Sequence, residues 1–246
     1  MLGNRILDAM SAADFEVLKP HLRPVRLDHQ RILYDAGDDV AMVYFPLTCV
    51  ISLVVPLSTG QNVETAMVGR DGVVGASSAL DGKLSLNRAV VQLAGDAVEC
   101  RVQAFETAAH QSRALIATIM RHEQTVFAQA QQSTACLAAH DTQARLCRWL
   151  LRARDLAASD TLPFTQEFLA EMLGVNRTSV SPVAHALQQA GMIRYVRGRI
   201  EILNVEGLRE SACECYDATR LNYERLLGCP PLIDAARAGR VCSANR

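Results

Sequence analysis

Apolar positions recur with two different periods along this chain, and the change of period divides it. Between Val25 and Val102, short β-branched runs alternate with Gly and Asp: RILYDAGD, MVYFPLTCVISLVVPL, NVETAMVG, VVGASSAL, RAVVQLAG and AVECRV. Gly37, Gly60, Gly69, Gly72, Gly75, Gly82 and Gly95 stand between or within them. Short strands with turn glycines every eight to twelve residues or so predict a small barrel or sandwich. Pro46 to Leu57 is apolar but short and β-branched, which predicts buried strand rather than a membrane span. Ahead of this region, Ile6, Leu7, Met10, Phe15 and Leu18 give a helical pattern, with Ser11 as an internal cap that splits it in two.

From Ala104 the glycines vanish until Gly174 and the period becomes helical. Ile116, Met120, Phe127, Ala130, Thr134 and Leu137 form a seam interrupted by Glu123. Such a seam fits a coiled-coil-like contact between two copies of the chain, although part of it could pack on the chain's own barrel. A second helix, 141–156, is expected to turn Leu146, Trp149 and Leu150 inward and Arg145, Arg148, Arg152 and Arg154 outward. After a linker at 158–163 come two further short helices, then a hairpin, then helix over 205–227. Gly228-Cys229-Pro230-Pro231 ends that helix, and the Ala- and Arg-rich remainder reads as loosely ordered. The expected division is therefore 1–103, 104–139 and 140–246.

The two short helices carry the most specific pattern, TQEFLAEMLGVNRTSVSPVAHALQQAG over 165–191. Thr165 is placed to cap the first, whose inner face is Phe168, Leu169, Met172 and Leu173. Gly174 can take the left-handed backbone that ends it, and Val175 plugs the angle between the two. Asn176 is placed to cap the second, with Val180, Val183, Ala184 and Leu187 inside and Gly191 as its stop. Arg177, Thr178, Ser179 and Ser181 then face outward near its N-terminus. A helix-turn-helix presents that part of its second helix to the major groove, where arginine can hold guanine O6 and N7 together. An ordinary helical hairpin is the competing reading of this stretch alone. The next residues weigh against it: IRYVRGRIEI, 193–202, alternates apolar and charged positions around Arg197-Gly198 and predicts a wing bearing Arg194, Arg197 and Arg199. Arginines beside a helix-turn-helix suit phosphate contact.

Charge agrees with a local rather than a general affinity for polyanions. The net charge over 246 residues is −1, yet residues 141–205 hold eight Arg against six Asp or Glu, and four of those Arg lie on the second helix and wing. No signal-peptide pattern or spanning apolar run is visible, so a soluble cytoplasmic protein without membrane contact is expected. Eight cysteines occur, at 49, 100, 136, 147, 213, 215, 229 and 242. They read as buried thiols rather than disulfides. The late group Cys213, Cys215, Cys229 and Cys242 could supply thiolates, but its one-residue gap is not the two-residue spacing usual for zinc, so no metal site is assigned. His21, His29, His110, His122, His140 and His185 show no ligand spacing, and His122 is expected to be solvated or at a dimer edge. Asp71, Asp81 and Asp96 sit beside turn glycines, as turn residues do. No Ser-His-Asp order, paired carboxylates, phosphate loop or metal triad points to an enzyme.

Barrel, long helix and C-terminal winged helix-turn-helix, in that order, resemble the Crp/Fnr family of bacterial transcription regulators over residues 22–203. The resemblance implies an α+β protein: an N-terminal β-roll or jelly-roll barrel of the cyclic-nucleotide-binding kind, a long dimerisation helix, and a DNA-binding domain working as a homodimer on double-stranded DNA. It implies base reading at Arg177 and phosphate contacts at Thr165, Gln166 and Ser179. Pro182 is a departure, standing where relatives place another DNA-reaching residue, and proline removes a helix hydrogen bond and can kink the helix. The phosphate cassette falls on GRDGVVGASSALDGKLSLNRAVV, where Gly75 and Arg88 match the family's effector-binding positions. Ala76 replaces the Glu that holds the ribose hydroxyl, which argues against cyclic AMP; Arg88 would then serve another anion or brace the barrel through an acidic neighbour. No cysteine precedes Cys49, so the iron–sulfur chemistry of one family branch is not expected, and the sequence names no cofactor. An activator would also need a surface for RNA polymerase, which no residue pattern identifies. The alternative function is an effector-binding or protein-interaction module that has lost DNA binding.

Overall fold

The computed structural model describes residues 3–228 apart from 81 and 83. Cys229 and Cys242, Pro230-Pro231, the tail beyond them and the turn residue Asp81 lie outside the described residues. Two short helices, α1 (Arg5–Asp8) and α2 (Ala12–Leu18), precede seven strands: β1 (Arg23–Leu27), β2 (Ile32–Tyr34), β3 (Met42–Pro46), β4 (Val50–Pro56), β5 (Asn62–Val68), β6 (Arg88–Leu93) and β7 (Gly95–Arg101). Helix α3 (Ala76–Leu80) interrupts them. The chain continues through α4 (Val102–Gln111), α5 (Arg113–Ala139), α6 (Thr142–Ala157), β8 (Thr161–Leu162), α7 (Gln166–Leu173), α8 (Arg177–Gln189), β9 (Ile193–Val196), β10 (Arg199–Ile202), α9 (Val205–Glu210) and α10 (Cys215–Leu227). No helix among the described residues is long and apolar enough to cross a membrane.

The N-terminal strands form two antiparallel sheets, ordered β1-β7-β3 and β2-β6-β4-β5, the layers of a β-roll that is not closed into a barrel. Strand β4 explains why its sequence is apolar without alternation. Ile51 and Leu53 face the other sheet, in one cluster with its Leu27, Tyr44 and Ala97. Val50 and Val54 face outward, yet they too are buried, against Trp149, Leu150 and other residues of the C-terminal half. A strand covered on both faces needs apolar side chains at both parities. The two halves therefore share one core. The β-run VVGASSAL gives no full strand: Val74 makes a single bridge to Tyr44, and Gly75, at φ 84, turns the chain into α3.

Three helix expectations are corrected. The helix begun near Ala104 breaks at Ser112, whose extended backbone ends α4 and whose hydroxyl accepts from the Leu115 amide to start α5. Helix α6 has no outward arginine face, because β4 and β5 of the second sheet, β8, α7, α8, α9 and α10 surround it. Arg145 is buried, and the Arg152 guanidinium ion-pairs with Asp71, itself buried, at 2.8 Å. The 205–227 helix is two, divided at 211–214.

Two further expectations change. His122 is neither solvated nor at an edge: it is fully buried on α5, where its Nε2 accepts from the Val73 amide at 3.2 Å. A Cβ on Gly72 would fall 2.3 Å from that nitrogen, so the glycine makes room for the ring. Cys136, Cys213 and Cys215 are not separate buried thiols but one cluster, with His140 against it.

Candidate DNA interface

Helices α7 and α8 are set by their ends. The Thr165 hydroxyl accepts from the Phe168 amide at 3.1 Å, and Gly174, at φ 63, closes α7 by donating its amide to Ala170 and Glu171 carbonyls. Asn176 occupies the N-cap position of α8, but its side chain makes no capping bond. The inner residues Val180, Ala184 and Leu187 are buried, as helical spacing requires, and join Leu169, Met172, Leu173 and Ile193 under the surface. Pro182 lies inside α8, which nevertheless runs unbroken from Arg177 to Gln189. Its ring sits on the exposed side, where the lost hydrogen bond leaves a carbonyl that water can reach.

The predicted contact residues do not all have the same freedom. Arg177, Thr178 and Ser179 are exposed on the first turn of α8, where backbone amides and the helix dipole favour an anion. Arg177 Nη1 lies 3.3 Å from Glu167 Oε2, with both side chains more than half exposed. Such a pair is worth about 0–1 kcal/mol, so it does not hold the guanidinium back. Ser181 is different: its hydroxyl donates to Gln166 Oε1 at 2.7 Å, tying α8 to the start of α7. These two side chains brace the motif.

The wing is a two-residue hairpin with Arg197 at φ 48 and Gly198 at φ 77. Both central residues at positive φ match the right-handed twist of the flanking strands. Strand β8 completes its sheet, ordered β8-β10-β9. Arg197 and Arg199 are exposed at the tip. Arg194 instead ion-pairs across the hairpin with Glu201, its register partner. Gln188 of α8 accepts from the Tyr195 amide at 2.8 Å, which fixes the wing beside the second helix. His185, exposed on α8 beyond Ser181 and Pro182, is weighed in the sequence only as a metal ligand, although its spacing from Thr178 and Ser181 puts it on the same helical face.

Of the predicted effector pair, only Gly75 lines the adjoining cavity. Gly75 lines a cavity of about 600 Å³ together with Tyr34, Ser77, Ser78, Glu123 and Phe127, between the roll and α5. Arg88 is not among its lining residues; it grips Asp35 through Nε at 3.1 Å and Nη2 at 2.7 Å. Those bonds hold the Asp35 carboxyl below its ordinary range. On α5, the seam residues Met120, Phe127 and Leu137 are 55%, 65% and 39% exposed, while Ile116 and Ala130 are half-buried and Thr134 is exposed. The buried side of the same helix carries His122, Thr125, Gln129 and Ser133. Leu115, Ile119 and Cys136 are buried on that side too, while Met120 and Phe127 face out.

Residues 144–211 match the Crp-like helix-turn-helix domain. Solved structures with the same fold include FixK2 from Bradyrhizobium japonicum, 16% identical, with a TM-score of 0.67 over 78% of this chain and 98% of that one. A putative transcriptional regulator of the Crp/Fnr family from Eubacterium rectale is 14% identical, with a TM-score of 0.66 over 83% and 96%. The c-di-GMP-responsive regulator CLP of Xanthomonas campestris is 14% identical, with a TM-score of 0.63 over 78% and 99%. No curated protein sequence matches.

Proposed function

We propose that this chain, a Crp/Fnr-type regulator by its fold and its Crp-like helix-turn-helix domain, acts as a homodimer on a two-fold DNA site. The observation that carries the reading is the exposed Arg177-Thr178-Ser179 turn flanked by the wing tip Arg197 and Arg199. In this reading Arg177 reads a guanine, Thr178 and Ser179 meet base edges or phosphate, and Thr165 meets phosphate. Gln166 and Ser181 hold the two helices in register, and Arg194 reaches phosphate only after leaving Glu201. The α5 seam of Ile116, Met120, Phe127, Ala130, Thr134 and Leu137 pairs with its copy, which sets the two α8 helices one helical turn of DNA apart. Exposed Phe127 and Met120 on one face of α5 support that pairing. Any effector differs from cyclic AMP in this reading: Ala76 offers no carboxylate, and Arg88 is paired with Asp35.

The test is selection of random duplexes on the purified protein, followed by mobility shift with Arg177→Ala. A guanine contact is worth about 1–3 kcal/mol, so the variant should bind the selected site roughly 10- to 100-fold more weakly and lose preference at one base pair per half-site. Unchanged affinity and preference would remove Arg177 from the interface.

A further inference from the structure

The break between α9 and α10 brings together residues the DNA-binding reading does not use. Helix α5 ends at Ala139, and its C-cap His140, in extended conformation, still donates its amide to the Cys136 carbonyl at 3.1 Å. One helical turn thus puts Cys136 and His140 on the same side. Cys213 and Cys215 flank Glu214 at the entrance to α10, with the latter its first residue. The three sulfurs and a His140 ring nitrogen all lie within 4.8 Å of one another. Cys136 and Cys213 Sγ atoms are 3.5 Å apart, and Cys215 Sγ is 3.6 Å from His140 Nδ1. All three cysteines are buried.

We infer that Cys136, His140, Cys213 and Cys215 form a binding site for one divalent metal ion of zinc's class. Metal–sulfur bonds of about 2.3 Å in a tetrahedron put ligand sulfurs about 3.8 Å apart, which is the scale of these separations. Iron–sulfur clusters, whose ligands bind different irons, need a wider spread. A disulfide would use two thiols and leave the third thiol and the imidazole unexplained. Three thiolates and one imidazole select a borderline-soft ion over magnesium or calcium, and tetrahedral placement selects zinc over copper(II).

The surroundings supply what such a site needs beyond its ligands. Glu214 Oε2 lies 3.2 Å from His140 Nε2, so the carboxylate can hold the proton there and leave Nδ1 facing the sulfurs. Gln132 Nε2 donates to Cys215 Sγ at 3.0 Å. The charges of Arg145 and Arg148 on α6 act on these sulfurs, offsetting the single net negative charge of three thiolates around a dication. Binding would release three thiol protons to solvent. The ion would join the end of α5 to α10 at the point where α5 turns into α6.

The test uses the full-length chain, reduced, stripped of metal and titrated anaerobically with cobalt(II). The expected result is one equivalent bound with intense tetrahedral visible bands and sulfur-to-cobalt charge transfer, displaced by zinc. Cys136→Ser and Cys213→Ser should each lose about a third of the charge-transfer intensity, and Cys229→Ser with Cys242→Ser should leave the spectrum unchanged. Glu214→Gln should keep the spectrum and weaken binding roughly 10- to 100-fold. A weak octahedral spectrum or none for the wild type, or a spectrum that follows Cys229 and Cys242, overturns the assignment. So does a protein purified without air that carries iron and inorganic sulfide. None of these readouts involves DNA, so they stand apart from the DNA-binding reading.

Discussion

Replacing Glu64 by Gln isolates one ionisation at the junction of the two halves. Glu64 lies on β5 against α6 and is buried; Trp149 Nε1 donates to its Oε1 at 2.8 Å, and Ser52 Oγ lies 2.6 Å from its Oε2. Burial pushes its pKa up from 4.5 to about 7, against the pull of the Ser52 and Trp149 hydrogen bonds and of Arg148 and Arg152. Ser52 Oγ also lies 2.7 Å from Gln92 Oε1, and one hydroxyl proton cannot serve both acceptors. Gln92 Nε2 is buried without a partner, so turning that amide over lets Gln92 donate to Ser52 while Ser52 donates to Glu64.

The sign follows from which state holds the proton. Between about pH 4.5 and 7 the folded protein keeps a proton that the unfolded chain has released, so stability falls as pH rises. The contribution is complete below the unfolded value and gone above the folded one. A shift from 4.5 to about 7 corresponds to about 3 kcal/mol in all, at about 1.4 kcal/mol per pH unit. Glu64→Gln cannot ionise, accepts from Trp149 and donates to Ser52, so it mimics the protonated form. Urea unfolding of both proteins at one concentration, followed by fluorescence of the single Trp, should give equal stabilities near pH 4.5. By pH 8 the variant should be ahead by up to about 3 kcal/mol. A difference that stays flat from pH 4.5 to 8 would refute the argument.

Arg197→Ala and Arg199→Ala should each weaken all duplexes about equally, and each should lower the slope of log affinity against log salt by about one, read by fluorescence anisotropy at several salt concentrations. Phe127→Glu places a charge at an exposed position of the α5 seam; sedimentation should show a monomer with unchanged circular dichroism, and a persisting dimer would move the interface elsewhere. Asp71→Ala leaves the largely buried Arg152 guanidinium without its carboxylate, and should cost about 3–5 kcal/mol in urea unfolding; a loss below about 1 kcal/mol would mean the pair is hydrated.

The elements legible in the sequence were those whose signal is local. Thr165, Gly174 and Arg197-Gly198 fix caps and turns through their own backbone preferences, and Val180, Ala184 and Leu187 declare a buried face by spacing alone. What could not be read was set by contacts between distant segments. Arg145, Arg148 and Arg152 look solvated on a helical wheel, because nothing near them in sequence says that α6 is surrounded. His122 fits beneath Gly72 only because those two segments meet. Cys136 and Cys213 are 77 residues apart, and the one-residue gap between Cys213 and Cys215 hid a set completed from the end of α5. Arg88 matched a family position, yet Asp35, 53 residues away, determines what it touches.

The same long-range contacts converge on α6. Trp149 and Arg152 bind it to the roll through Glu64 and Asp71, Leu146 and Leu150 pack it into the shared core, and Arg145 and Arg148 stand beside the thiol cluster. Asn62 extends the contact outward, donating to Glu171 of α7 at 2.7 Å while lying 3.4 Å from Arg88. Ionisable groups in such an interface add little net stability compared with apolar side chains of the same volume, because each loses its water on docking. They do penalise every misaligned arrangement, since a carboxylate or guanidinium moved off its partner while still dry costs several kcal/mol. Full separation is cheaper than partial displacement, because the separated charges regain water. A junction built this way has one well-defined docked geometry, and the apolar core that Val50, Val54, Met67 and Leu93 share with Trp149 and Leu150 opposes leaving it.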